Sequence, residues 1–148
     1  NFDVTMYAFN TKLFKIEDIS QYLAMGSTAL IDAVCKVIDE TGKRLSDMNE
    51  FDRPDKVVMM IMTDGEENSS VEHTQEELKA RVELQQNTYN WKFVFTGANI
   101  DSFTTGSSYG VSNTTTRNFE STPKGVRGLY ASLGDSVKTY RKSGDLSI

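Results

Sequence analysis

The sequence predicts an α/β fold with a mostly parallel sheet and helices on both of its faces. After an initial hairpin, β-prone and amphipathic segments alternate along the chain, which is the order of a parallel sheet with helical crossovers. Residues 57–62 are continuously apolar, which indicates a central strand that is covered on both faces. We therefore expect a single three-layer, Rossmann-like domain over residues 1–148, with one antiparallel strand at the edge of its sheet.

The first two elements are predicted to form that edge. Residues 2–9 are β-prone, Asn10 and Thr11 are typical of a turn, and residues 12–16 form a possible return strand. A compact domain rarely begins inside its own core. We therefore expect that a first strand and helix of the domain lie upstream of Asn1.

The next two helices are predicted from apolar spacing and from capping residues. The first follows the loop at Gly26, and its apolar positions recur at helical spacing as far as Leu45. A break at Pro54 separates it from the apolar strand. The second helix begins at Thr74, which forms a capping box with Glu77 because each side chain can accept a hydrogen bond from the other residue's backbone.

The last third of the chain predicts two further strands and two helices. Residues 91–96 form an apolar strand, and a short helix follows over residues 102–109. Residues 114–119 are β-branched and polar, which favours a strand near the sheet edge. The final helix has Pro123 at its first position and Gly144 as its cap. Its apolar stripe is formed by Val126, Leu129, Tyr130, Leu133, Val137 and Tyr140.

Composition excludes several classes of function. The chain is 38% hydrophobic and 25% charged with a net charge of −5, which argues against a nucleic-acid-binding domain. It has one cysteine, Cys35, and one histidine, His73, so an internal disulfide and a multi-Cys or multi-His metal site are excluded. We expect Cys35 to pack in the core and His73 to lie at the surface.

Apolar runs are too short to cross a bilayer, so we expect no membrane insertion. Nothing in the sequence is typical of a signal peptide. We expect a cytoplasmic protein, with association to a virion as the alternative.

Two polar segments stand where ligands of α/β sheets bind, beyond the carboxyl ends of the strands. Gly-Ser-Thr-Ala-Leu brings Thr28 to the start of the first helix, and Thr-Asp-Gly-Glu-Glu-Asn brings Asp64 to the end of the apolar strand. A hydroxyl and a carboxylate from separate loops make an oxygen-only site. Hard cations such as Mg²⁺ prefer such ligands.

These segments resemble the second and third parts of the metal-ion-dependent adhesion site of von Willebrand factor A-type domains. The likeness is to stand-alone bacterial and phage members and extends over nearly the whole chain. It implies a protein-binding module in which Thr28 and Asp64 bind Mg²⁺, or Mn²⁺ or Ca²⁺, and an acidic residue of a partner protein completes the coordination. Residues expected to support the ligands rather than bind the ion are Ser27, Glu66, Glu67 and Asn68.

The first motif of that family, Asp-x-Ser-x-Ser, has no match in the sequence. Its two serines normally bind the ion directly, so Thr28 and Asp64 alone would make a poor Mg²⁺ site. Either a segment with this motif lies upstream of Asn1, which we expect, or the domain has lost its metal.

Other interpretations of the same residues stay open. Thr28 could simply cap its helix, and Asp64 with the following glycine could simply form a turn. A degenerate site would suit a structural component of an assembly, such as a phage particle. A phosphoryl-transfer or hydrolytic enzyme could hold Mg²⁺ with Asp64, Glu66 and Glu67. Because the sequence shows no nucleophile, general base or phosphate-binding lysine beside them, we expect that the protein is not an enzyme.

Overall fold

The computed structural model describes residues 3–10, 12–17 and 28–148. These ranges form an α/β fold. Its strands are Met6–Phe9 (β1), Leu13–Ile16 (β2), Val58–Thr63 (β3), Lys92–Gly97 (β4) and Thr116–Asn118 (β5). Its α-helices are Leu30–Asp47 (α1), Gln75–Tyr89 (α2), Ser102–Ser108 (α3) and Pro123–Ser143 (α4).

A parallel three-stranded sheet organises the fold. β4 lies in the middle and pairs in parallel with β3 on one side and with β5 on the other. Phe95 of β4 lies opposite both Ile61 and Thr116. The helices α2 and α3 make the two crossovers, so the Rossmann-like α/β class predicted from the alternation of elements is confirmed.

The antiparallel pairing of the first two strands is also present. β1 pairs with β2 from Met6 opposite Ile16 to Phe9 opposite Leu13. In the part of the chain that the structure describes, this hairpin is a separate two-stranded sheet. The backbone N–H of Ala29 donates to the carbonyl of Asn10 at 2.7 Å, so the end of β1 is tied to the start of α1.

The expectation that residues 57–62 form the central, almost fully buried strand is wrong for the described residues. β4 takes the middle position, and every residue from Phe93 to Ala98 is buried. β3 has a strand neighbour on one side only within the described ranges, and its Met60 is 43% exposed. An apolar run indicates that a strand tends to be buried, but it does not specify how many strands pair with it.

The helices form layers on both faces of this sheet. On one face, Phe93 and Phe95 of β4 pack in a core with buried residues of α1 and α2. On the other face, Val94 packs against Leu129 and Leu133 of α4. Successive side chains of a strand point to opposite faces, so one buried strand joins the two cores.

Capping residues set the ends of the helices as predicted. Thr74 and Glu77 form the reciprocal capping box of α2. Thr122 accepts a hydrogen bond from the backbone N–H of Gly125 at the start of α4, and Gly144 ends that helix with φ 82°. Within the predicted stripe of α4, Tyr130 is 48% exposed, so the buried part of the stripe is narrower than expected.

The described helices include none that is both long and apolar enough to cross a membrane.

Candidate functional site

The loop after β3 and the start of α1 are held together by backbone hydrogen bonds at Thr28. Its N–H donates to Oδ1 of Asn68 at 2.9 Å. Its carbonyl accepts from the backbone N–H groups of Asn68 and Ser69 at 3.0 and 3.1 Å. Asn68 therefore fixes the backbone of Thr28, while its predicted role in supporting metal ligands stays a prediction.

The hydroxyl of Thr28 lies beside the residue that follows Asp64. A Cβ atom built on Gly65 would stand 3.9 Å from Oγ1 of Thr28. Asp64 is exposed directly after β3, and its carbonyl accepts a hydrogen bond from Nδ2 of Asn99 at 3.4 Å. Thr28 and Asp64, which come from separate loops, thus lie at the carboxyl end of the same strand.

The two predicted ligands differ in hydrogen bonding between their side chains and their backbones. Among the described residues, no hydrogen bond or ion pair involves the Thr28 hydroxyl or the Asp64 carboxylate, whereas the backbones of both residues are hydrogen-bonded. The backbone of the loop is further ordered by Thr63, whose hydroxyl donates to the carbonyl of Gly65 at 3.0 Å. The arrangement offers one hydroxyl and one carboxylate to a ligand.

Glu67 has a different role from these two residues. Its Oε2 accepts from the backbone N–H of Ile31 and from the hydroxyl of Ser70, both at 2.8 Å. Its Oε1 accepts from the backbone N–H groups of Ser69 and Ser70 at 2.9 and 2.6 Å. Both oxygens are therefore engaged with α1 and with the loop.

The start of α1 is capped from this loop and not by its own residues. Ala29 is the N-cap and makes no side-chain cap. Instead, the second and third helical residues, Ile31 and Asp32, donate their N–H groups to Glu67 and to the hydroxyl of Ser70. The alternative in which Thr28 serves only as the helix cap is therefore wrong.

Asp32 in the first turn of α1 binds the backbone of the same loop. Its carboxylate accepts hydrogen bonds from the backbone N–H groups of Val71, Glu72 and His73 at 2.8 to 3.2 Å. Partial burial acts to raise the pKa of Asp32, but the three backbone donors and nearby His73 act to lower it, and the net pKa lies below its ordinary value of 3.8.

Neither Asp32 nor Ser70 was predicted as part of this region. An acidic residue in the first turn of a helix is commonplace, and nothing in the sequence shows which distant backbone it will contact. His73, which was expected at the surface, is partly buried: its side chain is 23% exposed, with Nδ1 3.6 Å from Oε2 of Glu77.

The remaining predicted supporting residues divide into two groups. Glu66 is exposed, with no hydrogen bond to its side chain from any described residue. Ser27 lies outside the described residues, so its predicted role stays a prediction.

A second loop, after β4, lies next to the site through Asn99. Asn99 has a left-handed backbone with φ 61° and reaches Asp64, as described above. Asp101 begins α3 by accepting from the hydroxyl and the backbone N–H of Thr104, and these bonds hold the pKa of Asp101 below its ordinary value. Nearby, Ser102 is buried and donates its hydroxyl to the carbonyl of Gly97 at 3.2 Å.

The donor chemistry suits a hard cation but is incomplete by itself. Thr28 and Asp64 are oxygen donors of the kind that Mg²⁺ prefers, yet its octahedral shell needs six ligands. In the described ranges there is no group of three or more His, Cys, Asp or Glu side chains that could hold a metal ion. Water, a partner's carboxylate or further protein oxygens would have to supply the rest.

A separate groove of about 510 Å³ lies where β4 begins, at the opposite end of the strands. It is wide open and is lined in part by Lys79, Glu83, Trp91 and Lys92. It shares no residue with the region around Thr28 and Asp64.

Comparison with protein-family models found no match, and comparisons with curated proteins and with solved structures found no significant similarity.

Proposed function

We propose that the protein is a protein-binding module that recognises an acidic side chain of its partner through a Mg²⁺ ion held at Thr28 and Asp64. The observation that carries this proposal is the pair of oxygen groups at the end of β3, the Thr28 hydroxyl and the Asp64 carboxylate, which have no hydrogen-bond partner among the described residues. Their neighbour Glu67 is fully engaged in hydrogen bonds, whereas Glu66 is exposed like Asp64 and makes no hydrogen bond with a described residue.

Position and chemistry support the proposal together. The two residues lie beyond the carboxyl end of a parallel strand, where α/β sheets bind their ligands. The hydroxyl and the carboxylate are hard oxygen donors. The ion would supply a positive charge to which a partner's carboxylate can bind. The protein's own part is to hold the two donors in place and to leave room for the partner.

The incomplete donor set is part of the proposal. The von Willebrand factor A-type domains that the sequence resembles carry an Asp-x-Ser-x-Ser motif. A segment with this motif would add two serine hydroxyls to the ligands that Thr28 and Asp64 supply. Such a strand could lie beside β3, which has a neighbour on one side only among the described residues. Without that segment we expect weak metal binding.

An enzyme that uses Asp64, Glu66 and Glu67 together has less support. Four hydrogen bonds direct the Glu67 carboxylate to the start of α1 and to Ser69 and Ser70. Moving it to an ion beside Asp64 would leave four partly buried donors without this acceptor, at a cost of up to about 1–3 kcal/mol for each group.

Titration with Mn²⁺ tests the metal site, because this paramagnetic ion broadens nearby amide NMR signals even when it binds weakly. We expect selective broadening of the signals of Thr28, Asp64 and Gly65. Excess Mg²⁺ should reverse the broadening by displacing Mn²⁺, and Asp64→Ala should abolish it. The matched control is Asp55→Ala, which removes another exposed aspartate. Equal broadening in Asp64→Ala and the parent protein would overturn the proposal.

A second titration tests recognition of a carboxylate. A short peptide with one aspartate should bind in Mg²⁺ more tightly than the same peptide with asparagine, and chelation of the metal should remove the difference. If the two peptides bind equally, the ion is not a recognition element.

A further inference from the structure

The Glu67 carboxylate joins three backbone positions and one hydroxyl into a single unit. It accepts from Ile31 in the first turn of α1, and from Ser69 and Ser70 in the loop after β3, at 2.6 to 2.9 Å. These donors lie on the two segments that carry Thr28 and Asp64. Glu67 is therefore a direct connection between the two halves of the candidate site.

The position of this carboxylate is electrostatically favourable. Unpaired N–H groups and the helix dipole make the start of a helix attractive to an anion. Glu67 satisfies the N–H of Ile31 there, while the Thr28 backbone is held by two hydrogen bonds with Asn68 and by one from Ser69. The segment from Thr28 to Ile31 is thus fixed against the loop at both of its ends.

We infer that Glu67 is a positioning residue for the metal site: it sets the separation of the Thr28 hydroxyl and the Asp64 carboxylate without touching the ion. This inference rests on the proposed function. Outer groups that orient metal ligands commonly change metal affinity by 10–100-fold when they are replaced. A carboxylate that only capped a helix would affect stability and leave the affinity unchanged.

Glu67→Gln separates these two roles. The amide keeps the size of the side chain but replaces one acceptor oxygen with an NH₂ donor, which would face N–H groups of the loop or of α1. We expect the Mg²⁺ dissociation constant, measured from amide NMR shifts at Thr28 and Gly65, to rise by about tenfold or more. The matched control is Glu72→Gln, which removes the same charge from the same loop at an exposed side chain. It should change the constant by less than about threefold.

Loss of stability is controlled separately. Leu133→Ala lowers stability from the opposite face of the sheet and should leave the Mg²⁺ constant unchanged. If Glu67→Gln proves too unstable to titrate, Ser70→Ala removes one of the four donors to Glu67 and should weaken binding in the same direction by a smaller factor.

Each outcome decides between the roles. An unchanged Mg²⁺ constant in Glu67→Gln, or in Ser70→Ala if that variant is used, overturns the positioning role while leaving the proposed function intact. A change of the same size in Leu133→Ala also overturns it, because the effect would then follow stability alone. Retention of Mg²⁺ binding by Asp64→Ala overturns the proposed function and the positioning role together.

Discussion

The backbone N–H of His73 donates a hydrogen bond of 2.8 Å to Oδ1 of Asp32, which lies forty-one positions earlier in the chain. Val71 and Glu72 donate to the same carboxylate. With Glu67 bound to the start of α1, the helix and the loop exchange carboxylate contacts in both directions. This reciprocal arrangement makes the loop after β3 an ordered part of the fold.

Asp32→Asn should destabilise the protein by about 1–3 kcal/mol near neutral pH, because an amide has one acceptor oxygen and leaves a backbone donor without a partner. The folded pKa of Asp32 lies below its ordinary value of 3.8. Its contribution is therefore complete above 3.8 and is lost as the pH falls through the lower, folded value. Urea unfolding over this range should show the two proteins converging at acid pH. Asp55→Asn, at an exposed site, serves as the control, and a difference that stays constant with pH would contradict the assignment.

Leu133→Ala should cost about 2–5 kcal/mol, because Leu133 is 5% exposed and packs with Leu129 against Val94 of the central strand. Chemical denaturation measures the change. Leu84→Ala is the matched control on α2, since the same atoms are removed from a side chain that is 53% exposed. A loss of under about 0.5 kcal/mol for Leu133→Ala would show that α4 does not support the sheet.

Gly97→Ala should destabilise the protein by about 1–3 kcal/mol through overpacking. A Cβ atom at this position would clash with Oγ of Ser102 and would stand 2.7 Å from the side chain of Ile100. Ser102 is buried and anchored to the Gly97 carbonyl, so it has little room to move. Gly134→Ala in α4 is the opposite case: nothing lies within 4 Å of its Cβ position. There we expect stability to rise by about 0.5–1 kcal/mol from helix propensity. Thermal unfolding measures both variants, and a higher unfolding temperature for Gly97→Ala than for Gly134→Ala would contradict the prediction.

The thiol of Cys35 should react slowly in the folded protein. Cys35 is fully buried, and this burial raises its pKa to about 11. At mildly alkaline pH the native thiol is both shielded and protonated, so Ellman's reagent should label it only as the protein opens. In denaturant the reaction should be fast. Equal rates in the two conditions would mean that α1 does not cover this side chain.

Much of the fold could be predicted because local chemistry determines it. The capping box at Thr74, the glycine cap at Gly144 and the alternation of apolar segments all have direct structural counterparts. The order of the strands in the sheet, by contrast, is not determined by local chemistry. It depends on pairing between distant segments, and for that reason the apolar run in β3 suggested the middle of the sheet, a position that β4 holds among the described strands.

The candidate site was predictable only in part, for a similar reason. Thr28 and Asp64 lie at the end of one strand, as parallel topology requires, but the roles of Asp32 and Glu67 depend on backbone N–H groups whose positions the sequence does not encode locally. Side chains that bind backbone at long range have no motif. Asn68 was partly predictable: its place in the polar segment suggested that it supports the ligands, but the sequence did not identify Thr28 as its partner.

The outer side of β3 has a practical consequence for handling the protein in solution. Within the described residues this side presents backbone N–H and C=O groups without a strand neighbour, and the half-exposed Met60 belongs to the same strand. Unpaired edge strands act as templates on which another polypeptide can form intermolecular β-structure. Concentrated samples of this chain should therefore self-associate more readily than its net charge of −5 alone would suggest.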